Sequence, residues 1–324
     1  MVRRIGVLVL ERVTDSGVSV ALDVLRAANA LTRRAGLREP FVVEVLSKRG
    51  RAVTTGAGLR LGVHGAWKRA SRCDVLLVPG CWVETAEEVE ALLEREDVKA
   101  CGLVLQQAAR RGAVLGTSCT GAFVMAAAGL LDGHRATTTW WLGSELRRRF
   151  PLIDVDESQS LVSEGRLLCA GTVFAMADLA LALVTKWVGP TIARQVMKVL
   201  LLDAHTSQGP YMVLNQVAND EPGVRAAEVW VRKNLSKPFS VGQLARAVAM
   251  SPRTLARRLE GSLGVSPIGF VRRIRLETAA QLLETSRLPL DEVARKVGYE
   301  DAGTLRRLMR RELGRSPRQV RRPG

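Results

Sequence analysis

The most constraining feature of this chain is a short pattern that occurs twice in its carboxy-terminal third. Leu-Ala-Arg-Ala-Val at 244–248 returns as Val-Ala-Arg-Lys-Val at 293–297, and Thr-Leu-Ala-Arg at 254–257 returns as Thr-Leu-Arg-Arg at 304–307. The distance between the two copies is one residue longer for the second segment than for the first. The extra residue therefore lies in the short connection between the two helices of each unit. Each copy predicts a helix of small and apolar residues, a tight turn and a second helix rich in arginine.

Charge is concentrated in the same region. Residues 222–324 hold 22 basic and 9 acidic side chains, a net of +13, whereas residues 1–221 hold 26 and 23, a net of +3. A compact basic region is typical of a protein that binds a polyanion, because each neutralised phosphate releases condensed counterions. A GC-rich coding bias would also favour arginine, but it would enrich both parts of the chain. We therefore expect the repeat to bind double-stranded DNA.

Composition sets the broad class. A length of 324 residues predicts two domains, and an apolar fraction of 47% supplies material for two cores. No apolar run approaches the roughly 20 residues needed to span a bilayer, and the apolar amino terminus ends at Glu11-Arg12 without a cleavage site. We expect a cytoplasmic protein with no membrane partner. The five cysteines and three histidines are scattered, which predicts no disulfide framework, no metal site and no cofactor.

The first two hundred residues alternate between two kinds of pattern. Short runs rich in Val and Leu occur at 6–10, 41–46, 74–78 and 113–115. Segments with helical spacing of apolar residues lie at 18–34, 85–95 and 98–111. This alternation predicts a doubly wound α/β domain with a parallel sheet, in which ligands bind beyond the carboxyl ends of the strands.

Cys119 stands in the loop after the fourth predicted strand, at a sharp turn into a helix. Unpaired N–H groups and the helix dipole stabilise a thiolate at such a position, as at the serine elbow of hydrolases. Most cysteines at such a turn are simply packed, so the sequence leaves both interpretations open. A catalytic thiol also needs a base, and spacing forces neither His134 nor His64 toward it.

Several segments in each half match one family. In the first half they are 22–29, 76–80, 118–123, 129–133 and 136–138; in the second, 250–255, 273–277, 293–294, 297–299 and 316–317. Together they resemble the GlxA-type regulators of the AraC/XylS family, which join a PfpI/ThiJ-like, glutamine-amidotransferase-like domain to a double helix-turn-helix. The resemblance implies a flavodoxin-like domain at 1–202, a linker at 203–221 and an all-α DNA-binding domain at 222–324, with helix-turn-helix units at 240–261 and 290–313.

Two departures from that family concern catalysis. Members usually carry Thr-Thr-His-Trp after the elbow, where this chain has Thr138-Thr139-Trp140. Enzymes of the wider group place a glutamate beside the cysteine, and Gly17 occupies the corresponding position. We therefore expect a vestigial elbow in a domain that senses a small molecule and is not an enzyme, and the family resemblance implies that this effector contains nitrogen. The expected ligand-binding residues are Gly80, Cys119, Thr120 and Thr139.

The helical spacing assigns roles within each repeat. In the first unit a supporting helix at 241–249 and a bend at 250–251 precede a recognition helix at 252–261, where Leu255 and Leu259 face the core. In the second unit, with its recognition helix at 302–313, Gly303 offers no side chain, so we expect the first unit to dominate sequence specificity. The expected DNA-binding residues are Ser251, Arg253, Thr254, Ala256 and Arg257 in the first unit and Gly303, Thr304, Arg306 and Arg307 in the second.

Between the units, residues 267–285 predict a long helix that packs against both. Its arginines, Arg272, Arg273 and Arg275, are expected to form a solvated face with incidental phosphate contacts.

The sequence is compatible with three functions. A transcriptional regulator, which the resemblance implies to be a homodimer formed through the first domain, is our main hypothesis. A cysteine amidase or hydrolase with a nucleic-acid-binding appendage is the alternative, against which the absent partners of Cys119 argue. A structural nucleoid protein would have no need of a large α/β domain. Steep salt dependence with a retained preference for one DNA site distinguishes a regulator from a nucleoid protein.

Overall fold

The chain divides into two compact units, Met1–Gln208 and Gly209–Gly324. The computed structural model describes residues 2–203, 205, 208, 222–263, 265–313 and 315–321. Most of the expected linker, 209–221 in particular, lies outside the described residues. None of the described helices is both long and apolar enough to cross a membrane.

The first unit is built on a seven-stranded sheet. Its strands are β1 (Arg3–Val9), β2 (Phe41–Ser47), β5 (Gly65–Ala66), β6 (Val75–Val78), β7 (Val114–Ser118), β10 (Leu161–Glu164) and β11 (Leu167–Ala170), and two small pairs are formed by β3 (Val53–Thr54) with β4 (Arg60–Leu61) and by β8 (Arg135–Ala136) with β9 (Asp154–Val155). The order is β10-β11-β7-β6-β1-β2-β5, and every neighbouring pair is parallel except β10 with β11. The predicted doubly wound parallel sheet is confirmed.

Helices cover both faces of this sheet. They are α1 (Asp15–Arg34), α2 (Ala86–Glu94), α3 (Glu96–Arg110), α4 (Gly121–Ala127), α5 (Gly143–Arg149), α6 (Met176–Trp187) and α7 (Pro190–Leu200), with 3-10 turns at Trp67–Arg72 and Trp140–Leu142. Within β1, Ile5 and Val7 pack in the cluster that includes α1, α6 and α7, whereas Leu8 packs in the cluster that includes α2, α3 and α4. Strands buried on both faces read as continuous apolar runs, which is why they could be located in the sequence.

The second unit is helical. Its helices are α8 (Pro222–Lys233), α9 (Val241–Ala247), α10 (Pro252–Leu263), α11 (Pro267–Thr285), α12 (Leu290–Lys296), α13 (Ala302–Glu312) and α14 (Pro317–Arg321). The pairs α9–α10 and α12–α13 are the two repeats, and α11 coincides with the long helix predicted between them. Leu255 and Leu259 on α10 are fully buried, which confirms the predicted inward face, and Leu305 and Met309 on α13 are fully buried as well.

The recurring Ser-Pro pair in the repeats begins helices. The hydroxyl of Ser266 accepts a hydrogen bond from the Gly269 N–H at 3.2 Å, and that of Ser316 accepts one from Gln319 at 3.4 Å. The following proline occupies the first helical position, where its missing N–H costs nothing. The motif is therefore a local helix-start signal that the repeat has kept in both copies.

A left-handed residue ends each supporting helix. Ala249 has φ 54° and Gly298, at the equivalent position of the second copy, has φ 82°. A Cβ atom on Gly298 would overlap the carbonyl oxygen of Leu235, so this position requires glycine. The first supporting helix ends at Ala247 rather than at the predicted 249, because the left-handed residue terminates it earlier.

The arginines of α11 do not form the solvated face that was expected. Arg272 pairs with Glu312 at 2.8 Å, and Arg273 pairs with Glu277 at 3.3 Å. The Arg275 guanidinium lies between two aromatic rings, 5.7 Å from the centroid of Phe239 and 5.5 Å from that of Tyr299. Arg272 and Arg275 thus tie α11 to neighbouring segments, whereas the Arg273–Glu277 pair lies within α11 itself.

Replacing Leu305 by alanine should lower the free energy of unfolding by roughly 2–5 kcal/mol, because it removes a fully buried side chain between α13 and α11. The next residue on the same helix, Arg306, is exposed, and Arg306→Ala should change stability by no more than about 0.5 kcal/mol. Urea denaturation followed by circular dichroism measures both. Equal destabilisation by the two substitutions would contradict the packing described for α13.

Candidate functional site

Cys119 occupies a strained turn between β7 and α4. Its φ of 55° lies in the left-handed region, which costs a residue other than glycine on the order of 1–3 kcal/mol. Its N–H donates to the carbonyl oxygens of Ala170 at 3.1 Å and Gly171 at 3.0 Å, at the end of β11. The neighbouring strand thereby holds the elbow in a conformation that the chain would otherwise avoid.

The loop after β6 is clamped against this elbow. The Thr120 hydroxyl donates to the Cys81 carbonyl at 2.7 Å and accepts from the Cys81 N–H at 2.8 Å. A Cβ atom on Gly80 would lie 2.7 Å from the backbone nitrogen of Thr120, so only glycine allows the approach. The carbonyl of Gly80 in turn accepts the N–H and the hydroxyl of Thr14, at 2.9 and 3.1 Å. The loops after β1, β6 and β7 thus meet at one edge of the sheet.

The Cys119 thiol is buried within that junction, with 3% of the residue exposed. Burial raises the pKa of the thiol to about 12, and the backbone N–H and the hydroxyl of Thr120 oppose this shift only in part. The stabilisation expected from the helix start is therefore outweighed by desolvation, and the thiol is protonated at neutral pH. The structure brings together all four residues expected to bind a ligand, Gly80, Cys119, Thr120 and Thr139.

His134 and His64 bond to groups away from Cys119. Nδ1 of His134 lies 2.9 Å from Oε1 of Glu164, and Nδ1 of His64 accepts the N–H of Val45 at 3.0 Å. Gly17 packs against Pro79 and Thr14, where a Cβ atom would already be crowded. Within the described residues, no group of three or more His, Cys, Asp or Glu side chains is placed to hold a metal ion.

Gln208 is a site residue that sequence reasoning missed, since it lies in the expected linker. It is only 4% exposed, and the carbonyl oxygens of Thr138, Glu157 and Gln159, each 3.0 Å from its Nε2, share the two N–H donors of that amide. A Cβ atom on Gly171 would overlap its amide, so the glycine makes room for it. A polar residue in an aperiodic segment carries no signal of burial, and only the fold brings Gln208 beside the elbow.

Three buried polar atoms around the elbow lack hydrogen-bond partners among the described residues. They are Oγ of Ser118, Oγ1 of Thr139 and Oε1 of Gln208. An unpaired buried polar group costs on the order of 1–3 kcal/mol, and such groups commonly mark a position where a ligand or water completes the bonding. The segment that carries Thr139 is tied to the elbow, because the Thr138 hydroxyl donates to the Cys119 carbonyl at 2.8 Å.

The recognition helices α10 and α13 present a different kind of surface. Arg253 and Arg257 on α10, and Arg306 and Arg307 on α13, are exposed. In the part of the chain that the structure describes, none of these four forms an ion pair, in contrast to Arg272 and Arg273 on α11. Ala256 is half-buried and Gly303 is exposed.

The polar residues assigned to DNA contacts also start these two helices. The Thr254 N–H donates to Oγ of Ser251 at 3.0 Å, and the two hydroxyls lie 2.8 Å apart. In the second unit, Asp301 accepts both the N–H of Thr304 at 2.7 Å and its hydroxyl at 2.9 Å. The Thr304 hydroxyl is thus already committed as a donor, which leaves its lone pairs as acceptors.

Comparison with known proteins matches both units. A family model described as the DJ-1/PfpI family matches residues 3–186, and one described as a helix-turn-helix domain matches residues 244–323. The HTH-type transcriptional regulator GbdR of Pseudomonas aeruginosa is 26% identical over 320 residues, covering 98% of this chain and 83% of the relative. The regulator GlxA of Rhizobium meliloti is 26% identical over 329 residues, covering 99% and 96%.

Solved structures resemble the first unit. An AraC family transcriptional regulator from Pseudomonas putida has 25% identity and a TM-score of 0.51, covering 61% of this chain and 99% of that one. Drosophila melanogaster DJ-1beta, at 21% identity and a TM-score of 0.51, covers 63% of this chain and shares the fold. The chain therefore belongs to the DJ-1/PfpI family, carries an AraC-type helix-turn-helix region after that domain, and is similar over nearly its whole length to the HTH-type regulators GbdR and GlxA.

Proposed function

We propose that this protein is a sequence-specific DNA-binding regulator of transcription whose first unit senses a small nitrogen-containing molecule and does not catalyse a reaction. The observation that carries the DNA-binding part is the contrast among arginines. Those on α11 pair within the unit, whereas Arg253, Arg257, Arg306 and Arg307 extend from α10 and α13 without a carboxylate partner among the described residues. Unpaired, exposed guanidinium groups on a helix that follows a tight turn are suited to the major groove.

The two recognition helices differ in what they offer to a base. Arg253 and Arg257 lie four residues apart on α10, so both project from one face of the helix. On α13 the position equivalent to Arg253 is Gly303, and we assign base reading there to Arg307 alone. Ser251, Thr254, Thr304 and Arg306 are assigned to the DNA backbone, since hydroxyls and helix starts favour phosphate.

The protonated state of the buried Cys119 thiol supports a role without catalysis. A nucleophilic cysteine needs a thiolate and a base, and burial keeps the Cys119 thiol protonated while His134 and His64 bond elsewhere. The elbow geometry persists because the sheet and the clamped loops require it, independently of any reaction.

The unpaired atoms at the elbow indicate the chemistry of the effector. Oε1 of Gln208 can only accept a hydrogen bond, so it would receive an N–H or ammonium donor, while the hydroxyls of Ser118 and Thr139 can donate or accept. Gln208 also precedes α8 by only the residues 209–221. An effector bonded to Gln208 would therefore act on the segment that leads into the DNA-binding unit. The family resemblance further leads us to propose a homodimer, which sedimentation equilibrium would show as twice the chain mass.

Arg253→Ala should relax base preference at one position by about 1–3 kcal/mol, or roughly 5- to 150-fold, because a guanidinium fork can take two acceptors on guanine. Arg253→Lys should lose the same discrimination while keeping the salt dependence of binding, since the charge remains. Binding to a library of duplex sites at two salt concentrations measures both quantities. Our assignment of the dominant role to the first unit fails if Arg307→Ala relaxes base preference to the same extent.

Cys119 should resist alkylation in the folded protein between pH 6 and 9, because a thiol with a pKa of about 12 holds almost no thiolate there. Labelling with iodoacetamide, read by mass spectrometry, should require denaturant, and Cys119→Ser should leave DNA binding unchanged. Stoichiometric labelling at neutral pH, or amide hydrolysis that disappears in Cys119→Ser, would show that the elbow is catalytic.

Gln208→Ala should abolish the thermal stabilisation that an amine or amino acid effector produces, because it removes the acceptor proposed to bind the effector's nitrogen. Gln106→Ala is a matched control, since the Gln106 amide makes a comparable bond to the Ala128 carbonyl at 2.8 Å elsewhere in the unit. A thermal-shift screen of primary amines and amino acids against all three proteins provides the measurement. A ligand shift that survives in Gln208→Ala places the effector elsewhere, and a screen without any shift argues against a nitrogen-containing effector.

A further inference from the structure

A cavity of about 510 Å³ lies at the amino edge of the sheet, where β1, β6, β7 and β11 begin. Arg3 is the first residue of β1, Asp74 directly precedes β6, and Arg166 directly precedes β11. Lys186 contributes from the last turn of α6. The elbow lies at the opposite, carboxyl ends of the same strands, so this cavity is separate from the candidate effector site.

The lining of this cavity is strongly cationic. Its charged side chains are Arg3, Arg72, Arg111, Arg166, Lys186 and Asp74. Five cations and one carboxylate give a local net charge of +4, whereas residues 1–221 together carry only +3. The rest of that part of the chain is therefore nearly balanced, and its excess positive charge is gathered in one recess.

Few of these cations are neutralised by the protein. Asp74 accepts the backbone N–H of Arg4 at 2.8 Å and lies 3.5 Å from Nη1 of Arg3. Arg111 donates to the carbonyl of Ala70 at 3.3 Å, and Arg166 donates to the carbonyl of Gly112. Among the described residues, no ion pair involves Arg72, Arg111, Arg166 or Lys186. Like charges held together in a recess repel one another, and an anion would relieve that repulsion.

Helix ends account for only part of the cluster. Arg111 follows the carboxyl terminus of α3 and Lys186 lies in the last turn of α6, where the helix dipole favours a cation. Arg72 likewise ends the 3-10 helix Trp67–Arg72, whereas Arg3 begins β1 and Arg166 directly precedes β11. Two of the five cations thus enter the recess without a helix dipole to explain them.

Two of the cations are held in place by an aromatic ring. The Arg3 guanidinium lies 5.5 Å from the ring centroid of Trp187, and Nζ of Lys186 lies 5.8 Å from it. The ring in turn packs edge-on against Phe41, with centroids 6.4 Å apart. Cations that are positioned before binding lose less conformational freedom when an anion arrives.

We propose that this cavity binds a small anion with two or more negative charges of the phosphate type. Arginine forks match phosphate oxygens in a bidentate manner, and the volume falls within the range of roughly 300–1,000 Å³ for small-molecule sites. A DNA backbone is a poorer fit, because a duplex binds along an extended surface whereas these cations converge on a recess. The proposal is independent of the effector assigned to the elbow.

The test is isothermal titration of the full chain with inorganic pyrophosphate, compared with the Arg111→Gln/Arg166→Gln double variant. We expect pyrophosphate to bind the double variant at least tenfold more weakly. Arg110→Gln is the matched control, since Arg110 is exposed, precedes Arg111 directly and does not line the cavity. It should bind as the unmodified chain does. If the double variant does not fold, Lys186→Gln replaces it, with an expected loss of about threefold.

Pyrophosphate could also bind to the basic second unit, and repeating the titration on chain already saturated with duplex DNA distinguishes this background from binding at the cavity. The pyrophosphate binding that the double variant lacks should persist in the DNA-saturated chain. Equal pyrophosphate affinity in the unmodified chain and the variants would mean an adventitious ion only and overturn the proposal, as would no binding at millimolar pyrophosphate. Loss of the cavity component on adding duplex DNA would assign the recess to the DNA backbone instead, which also overturns it.

Discussion

Burial of the parallel sheet on both faces is the constraint from which the rest of the first unit follows. Helices α1, α6 and α7 cover one face of the sheet, and α2 to α5 cover the other. Polar groups of the central strands can therefore reach a ligand only at the amino and carboxyl ends of those strands. Both candidate binding sites of the first unit lie at these strand ends. The Cys119 elbow is at the carboxyl edge of β6, β7 and β11, and the cationic recess is at the amino edge of the same strands.

At the carboxyl ends of the strands, the packing that holds the Cys119 turn also changes the acidity of its thiol. The left-handed Cys119, the close approach of Gly80 and the Thr120 bridge to Cys81 hold the turn that a nucleophile would use. The same close packing removes water from the thiol, which raises its pKa to about 12. Tight assembly of the elbow and reactivity of the thiol therefore oppose each other unless a base or a positive group enters, and His134 and His64 both bond elsewhere.

In the second unit, the arginines that stabilise the fold differ from the exposed arginines in having a carboxylate or an aromatic ring in contact with them. Arg272 and Arg275 contact a carboxylate and two aromatic rings on neighbouring segments, and Arg273 pairs with Glu277 on α11 itself. Arg253 and Arg307 stand on short helices whose opposite face, through Leu255 and Leu305, is fully buried. The two groups look alike in the sequence, since both are arginines at helical spacing, and only the presence of Glu312, Glu277 or Tyr299 nearby distinguishes them.

The sequence alone determined what depends on local pattern. Continuous apolar runs located four of the seven strands of the main sheet, β1, β2, β6 and β7. Helical spacing located α1, α2, α3 and the buried leucines of α10, and the repeat with its charge indicated DNA. Tertiary structure decided what depends on neighbours distant in the chain. The neutral state of Cys119, the pairing of Arg272 with Glu312 and of Arg275 with two aromatic rings, the burial of Gln208 beside the elbow and the gathering of five cations at one end of the sheet all arise from contacts between separate elements. Desolvation and Coulomb interactions act through space, so no periodicity along the chain could have revealed them.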